Sequence, residues 1–198
     1  MDIKNALPGI LRVTTENFRV PYELKVIGRE VCMVDLGDRK LKVRVSYKYD
    51  RKEREDSFLE MLEFHRILQE KIFGVPKVIK FIDDGIWKYK FVEWMEGKDF
   101  LQFAEQYGSR KLLPSDIFYS FGKFMYRVKK LGFYGHDHHW GNIFYRTDKK
   151  AVGLCDYGSW SLSSEQEWEE PFIEKVSAPM NKEQKKAFYK GYEYVTKY

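Results

Sequence analysis

Residues 132–145 read GFYGHDHHWGNIFY, with three histidines around Asp137 and with Asn142 five positions beyond that aspartate. The histidines suggest a transition-metal cage, since imidazole is a common zinc ligand. Adjacent residues on one loop rarely converge on one ion, however. The two cysteines, Cys32 and Cys155, are not clustered with the run, and no HExxH spacing occurs. The alternative reading gives the chemistry to the carboxylate of Asp137 and the amide of Asn142.

Two short strand-like runs follow, IFYR and VGLC, joined by residues 147–150, and Asp156-Tyr157-Gly158 comes directly after them. A hairpin of that length folds Asp156 back beside Asn142. The result is one carboxylate free for an attacking hydroxyl, with an amide and a second carboxylate for a hard cation. Mg²⁺ takes oxygen ligands of this kind, with phosphates and waters completing its shell. Transfer of a nucleotide phosphate needs these parts and a cation for the phosphate oxygens.

Working outward, residues 1–21 read as an extension without assigned structure, and the strand pattern begins at Tyr22. YELKVIG, VCMVDL and KLKVRVS form three strands, with Gly37-Asp38 at the turn between the second and third. A helix capped at Asp56 or Ser57 follows, with Phe58, Met61, Leu62, Leu68 and Ile72 at helical spacing. KVIKFID and IWKYKFVEW then flank Asp84-Gly85, a hairpin signal. The first lobe, 22–96, is therefore five strands and one helix. The second, 97–198, opens with GKDF. It continues with a long helix capped by Ser115, in which Ile117, Phe121, Phe124, Val128 and Leu131 share a face. The tail from Asn181 reads as helical. The expected fold class is α+β, a small antiparallel β-rich lobe and a reduced helical lobe with a cleft between them.

DHHWGN followed by CDYG resembles the catalytic and metal-binding segments of the protein-kinase-like superfamily, H-x-D-x-x-x-x-N and then D-F-G. The match is closest to its compact branches, the aminoglycoside phosphotransferases and choline kinases, whose loops read H-G-D-x-H-x-G-N. The resemblance implies a two-lobed kinase-like fold, ATP and Mg²⁺ as cofactors, Asp137 as catalytic aspartate, and Asn142 and Asp156 as metal ligands. It also implies that FVEWMEG, residues 91–97, is the hinge, where the backbone at Glu93 and Met95 pairs with adenine. The third strand supplies the phosphate-binding cation. Arg44 alternates with Val43 and Val45, and Lys42, two residues back on the same face, is its rival. Glu60 or Glu63 is the helix partner of that cation, and the sequence does not choose between them. Trp140 reads as a packing or substrate-stacking residue, and Cys155 as core rather than reactive. The resemblance spans residues 22–160 in collinear order.

Three departures accompany it. The histidine expected two positions before Asp137 is Gly135, with His136 displaced by one. The glycine-rich loop keeps only Gly28, which leaves less of the backbone amide cradle to glycine. Forty residues follow Gly158 without an A-P-E signature, so no regulated activation segment is expected.

Composition limits the rest. The 198 residues are 43% hydrophobic and 33% charged, which suits one domain or two small lobes. The formal net charge is +5, but the basic residues are scattered and interleaved with acid, so a nucleic-acid partner is not expected. Two cysteines suit a reducing compartment, and no apolar run reaches 18 residues, so a cytoplasmic protein without membrane insertion is expected. The expected activity is transfer of the γ-phosphate of Mg-ATP to a hydroxyl of a protein or small molecule. The alternative is a pseudokinase acting as a binding module.

Overall fold

The computed structural model describes residues 3–47, 62–63, 65–72, 75–135, 140–146, 149–154, 160–162, 174 and 176–194. They fall into two compact units, Met1–Leu59 with Pro76–Trp94, and Glu60–Val75 with Met95–Tyr198. The architecture is α+β with antiparallel sheets.

The first unit is a five-stranded sheet: β1 (Glu23–Val26), β2 (Val31–Asp35), β3 (Lys40–Tyr47), β4 (Val78–Asp83) and β5 (Trp87–Glu93). Its order is β1-β2-β3-β5-β4, with every pairing antiparallel. One device closes two of its hairpins. Asp35 Oδ1 accepts the Gly37 amide at 3.0 Å, and Asp83 Oδ1 accepts the Gly85 amide at 2.9 Å. Both glycines lie in the left-handed region, at φ 87° and 89°, where side chains are disfavoured. The five strands expected from sequence are all present.

Residues 1–21, set apart in the sequence reading, belong to this unit. Helix α1 (Leu7–Phe18) buries Ile10 and Val13, and with Ile3 and Ala6 it packs into the core made by Cys32, Val34, Leu41, Val43, Val45, Tyr89 and Phe91. Pro8 and Gly9 look like helix breakers, yet Pro8 sits in the first turn, where no intrahelical amide donor is needed. Gly9 is the point of closest approach, since a Cβ there would overlap the Tyr89 hydroxyl. Burying Ile10 alone contributes about 2 kcal/mol. Burial also pushes the Cys32 thiol up to about 12, so it stays protonated.

A polar latch ties α1 to the β4–β5 hairpin. Asp84 Oδ1 accepts the amides of Trp87 at 2.7 Å and Ile86 at 3.0 Å. Its Oδ2 accepts Arg12 Nη2 at 2.7 Å and the Tyr89 hydroxyl at 2.9 Å.

The second unit contains β6 (Lys98–Asp99), α2 (Phe100–Gln106), α3 (Ser115–Lys130), β7 (Phe133–Gly135), β8 (Ile143–Arg146), β9 (Ala151–Leu154), β10 (Trp160–Leu162) and α4 (Lys182–Tyr194). Residues 65–71 are helical and group with this unit rather than with the sheet. The expected N-cap of that helix, Asp56 or Ser57, lies outside the described residues. Asp99 and Gln102 form a reciprocal capping box at the start of α2. The cap of α3 is Pro114, not Ser115, which is its first helical residue. Ile117, Phe121, Phe124 and Val128 are buried on its inner face.

Helices α3 and α4 meet through glycine. A Cβ on Gly122 would overlap the Phe188 carbonyl oxygen, and one on Gly191 the Tyr119 carbonyl oxygen, both backbone atoms. Asn181 and Gln184 exchange hydrogen bonds at the start of α4, at 2.9 and 3.0 Å. Gln184 Nε2 then donates to the carbonyls of Arg110 and Leu113, at 2.9 and 3.1 Å. Strand β10 pairs with β7, and β8 lies between β6 and β9.

The Asp84 latch makes a pH prediction. Burial raises its carboxyl pKa, but the hydrogen bonds from Trp87, Ile86 and Tyr89, with the Arg12 charge, outweigh this and hold it below the usual 3.8. A group depressed in the folded state adds stability above its unfolded pKa and loses it as pH falls through the folded one. Asp84→Asn is therefore expected to lose about 1–3 kcal/mol at neutral pH in urea denaturation. It should also show a shallower stability loss than wild type below about pH 4. An unchanged acid slope would remove the latch from the account.

Candidate functional site

The candidate residues of the first unit follow from the register of two strands. On β3, Leu41, Val43 and Val45 enter the apolar core, so Lys42, Arg44 and Ser46 lie on the opposite face. On β5, Tyr89 and Phe91 enter the same core, and Lys88, Lys90 and Val92 share the face of Arg44. The register pairs Arg44 with Lys90, Lys42 with Val92 and Ser46 with Lys88. One sheet face thus carries four cations. Lys88 and Lys90 are only 2% and 4% exposed. Charged groups that deep require compensating contacts, and each of the four cations makes at least one further interaction.

Among the described residues a carboxylate beside Arg44 is that of Glu30, with Oε2 4.0 Å from Nη2. Glu63 is exposed and groups with the second unit, and Glu60 lies outside the described residues. Gly28 donates its amide to the Val31 carbonyl at 3.0 Å, so that amide closes the β1–β2 turn. Among the described residues, the only contact an added Cβ would make is with Val31 Cβ, at 3.9 Å. At the end of β5, the Glu93 amide donates to the Lys77 carbonyl at 2.8 Å and its Oε2 accepts the Lys77 amide at 3.3 Å. The Trp94 amide donates to the Lys40 carbonyl at 3.0 Å. No partner for the Met95 amide is present among the described residues.

In the second unit, Asn142 ends the one-turn 3-10 helix Trp140–Asn142 and is 8% exposed. It directly precedes β8, whose register pairs Ile143 with Leu154 at the end of β9. The turn is held by Trp140, which is buried as a packing residue. The Trp140 ring lies 5.8 Å from Phe100 at 88° and 5.8 Å from Phe118 at 54°, with the Arg110 guanidinium 5.5 Å from its centroid. Phe100 also meets Phe121 edge-on at 5.7 Å.

Asp137, Asp156 and the histidines at 136, 138 and 139 lie outside the described residues. Among the described residues, no cluster of three or more His, Cys, Asp or Glu side chains could hold a metal, and no helix is long and apolar enough to cross a membrane.

The sequence reading missed Lys88 and Lys90. Their signal was the alternation in WKYKFVE, where two lysines interleave with Tyr89 and Phe91. Helix α1 escaped it for the opposite reason, because Pro8 and Gly9 mask a spacing of Ile3, Ala6, Ile10 and Val13 that fits one helical face.

No protein-family model matches the chain, and no curated protein sequence matches it. Among solved structures it is similar to the bifunctional kinase-methyltransferase WbdD, with a TM-score of 0.55 and 15% identity, over 76% of this chain. The chain spans 34% of the length of that protein. The likeness supports a kinase-like fold. At this identity it speaks to fold alone.

If Trp140 anchors the Asn142 turn, Trp140→Ala is expected to cost about 3–5 kcal/mol in chemical denaturation. A loss under about 1 kcal/mol would mean that the turn is held elsewhere.

Proposed function

We propose that the chain is a compact kinase-fold phosphotransferase that moves the γ-phosphate of Mg-ATP to a hydroxyl acceptor. The observation that carries this reading is the cationic face of β3 and β5. There Arg44 and Lys90 are paired neighbours on the face opposite the apolar core, as a phosphate cradle requires. The strand order, the buried Asn142 and the likeness to a kinase-containing protein support it.

In this reading Arg44, with Lys90 beside it and Lys42 as its rival, neutralises the α- and β-phosphates. Asn142 and Asp156 supply oxygen ligands of the kind Mg²⁺ prefers, and a buried amide such as that of Asn142 fits that role. The metal, when bound, offsets charge on the phosphate oxygens. Asp137 orients the acceptor hydroxyl and takes its proton. The amides of Glu93 and Trp94 are used within the sheet, and the Met95 amide, without a partner among the described residues, is the hinge group assigned to adenine. WbdD is both a kinase and a methyltransferase. The kinase activity is the one that fits this chain, because every described strand pairing is antiparallel, unlike the mostly parallel sheets of doubly wound folds. The acceptor class is a small molecule or a protein serine or threonine.

A pseudokinase binding module is the second reading. It is favoured by Gly28, whose amide is already used in the turn instead of standing ready for a phosphate.

Transfer of label from [γ-³²P]ATP into protein and small-molecule pools tests the proposal. Asp137→Ala is expected to lower transfer by at least about 10²-fold, the scale of lost general-base catalysis. Wild-type protein that binds nucleotide but transfers nothing would favour the binding module, and transfer undiminished in Asp137→Ala would refute the role of Asp137.

A further inference from the structure

Within the second unit, the middle of α3 and the β8–β9 hairpin border a cavity of about 360 Å³. That is at the lower end of small-molecule sites. None of the residues assigned to phosphate transfer lines it. Among the described residues its walls carry Lys123 and Arg127 from α3 and Lys149 and Lys150 from the hairpin, against one carboxylate, Asp116. That carboxylate is engaged. Its Oδ1 accepts the Ile117 amide at 3.0 Å. The Tyr145 hydroxyl is raised above its ordinary pKa by burial first, and then by the charge and hydrogen bond of Asp116.

Gathering four cations at one cavity raises the local positive potential and favours an anionic ligand there. Lys123 and Arg127 are four residues apart on one helix face, a spacing at which like charges repel. The hairpin lysines line the same cavity and add to that field. The hairpin is also fixed there, because Ser120 Oγ donates to the Lys150 carbonyl at 3.3 Å. Lys150 is in the left-handed region at φ 46°, which costs a non-glycine residue energy. Lys123 stands 5.7 Å from the Tyr119 ring centroid, so an aromatic surface adjoins the basic one. Lys123 and Lys149 have other partners as well, so what recommends the site is the positive sign of its described lining as a whole.

We infer that this cavity binds a small phosphate-bearing molecule with two or more negative charges. Its phosphate sits among Arg127, Lys149 and Lys150, and its body lies against Tyr119 and Phe124. The inference does not depend on the phosphotransferase reading.

Isothermal titration calorimetry with pyrophosphate in Mg²⁺-free buffer tests it, on wild type, an Arg127→Gln/Lys149→Gln double variant and Asp156→Asn. Both substituted cations are exposed, so the double variant is expected to fold. Binding is expected in wild type and in Asp156→Asn, weakened at least about tenfold in the double variant and by added salt. No binding in wild type, binding unchanged in the double variant, or binding lost in Asp156→Asn but kept in the double variant would overturn the inference. An inactive enzyme that still binds pyrophosphate through Arg127 and Lys149 would sink the phosphotransferase reading and leave this one standing.

Discussion

The pairing of β3 with β5 is the constraint on which the first unit depends. In the observed register Val43 lies opposite Phe91 and Arg44 opposite Lys90. A slip of one residue on either strand would send its lysines and arginine into the apolar core and its valines and aromatics to the other face. Burying such charges without partners costs far more than the ladder hydrogen bonds return. The core under α1 and the cationic face are therefore two consequences of one register. The Asp84 latch reinforces it at the hairpin that joins β4 to β5, binding the turn, Tyr89 and α1 through one carboxylate.

The second unit solves a different problem, that of holding a short polar turn rigidly. Phe100 from α2 meets Phe118, Phe121 and Trp140 edge-on, and Phe118 from α3 meets Trp140 at a tilt. Helix α4 closes against α3 because Gly122 and Gly191 let the two backbones approach. Its capping residues reach across to the carbonyls of residues 110, 111 and 113. Asn142 thus has a buried position set by packing two residues upstream of it.

Much of this was legible because short-range signals and the pleat agree. The alternation in KLKVRVS and the Asp-x-Gly turns at 35–37 and 83–85 are local, so strands β2 to β5 could be read directly. What was not legible depends on tertiary context. Gly9 is tolerated in α1 only because Tyr89 requires the space, and no window of sequence around Gly9 contains Tyr89. The grouping of residues 65–71 with the second unit, and the pairing of β10 with β7 across 24 intervening residues (160 − 135 − 1 = 24), are likewise long-range facts. For the candidate site, the sequence motif named Asp137, Asn142 and Asp156, and the structure supplies a buried, packed setting for Asn142 and two lysines that the motif did not name.

The proposed phosphate transfer requires the chain to hold a nucleotide through a divalent cation, and the most direct test is the metal dependence of nucleotide binding. Thermal unfolding should shift upward with ATP and Mg²⁺ together, by the equivalent of about 2.7 kcal/mol at a hundred times the dissociation constant. In the Arg127→Gln/Lys149→Gln variant, which removes the second anion site, the shift should be absent with either alone and lost on adding Asp156→Asn. No response to nucleotide, with stabilisation by Zn²⁺ instead, would contradict the account and return the histidines around Asp137 to the centre of it.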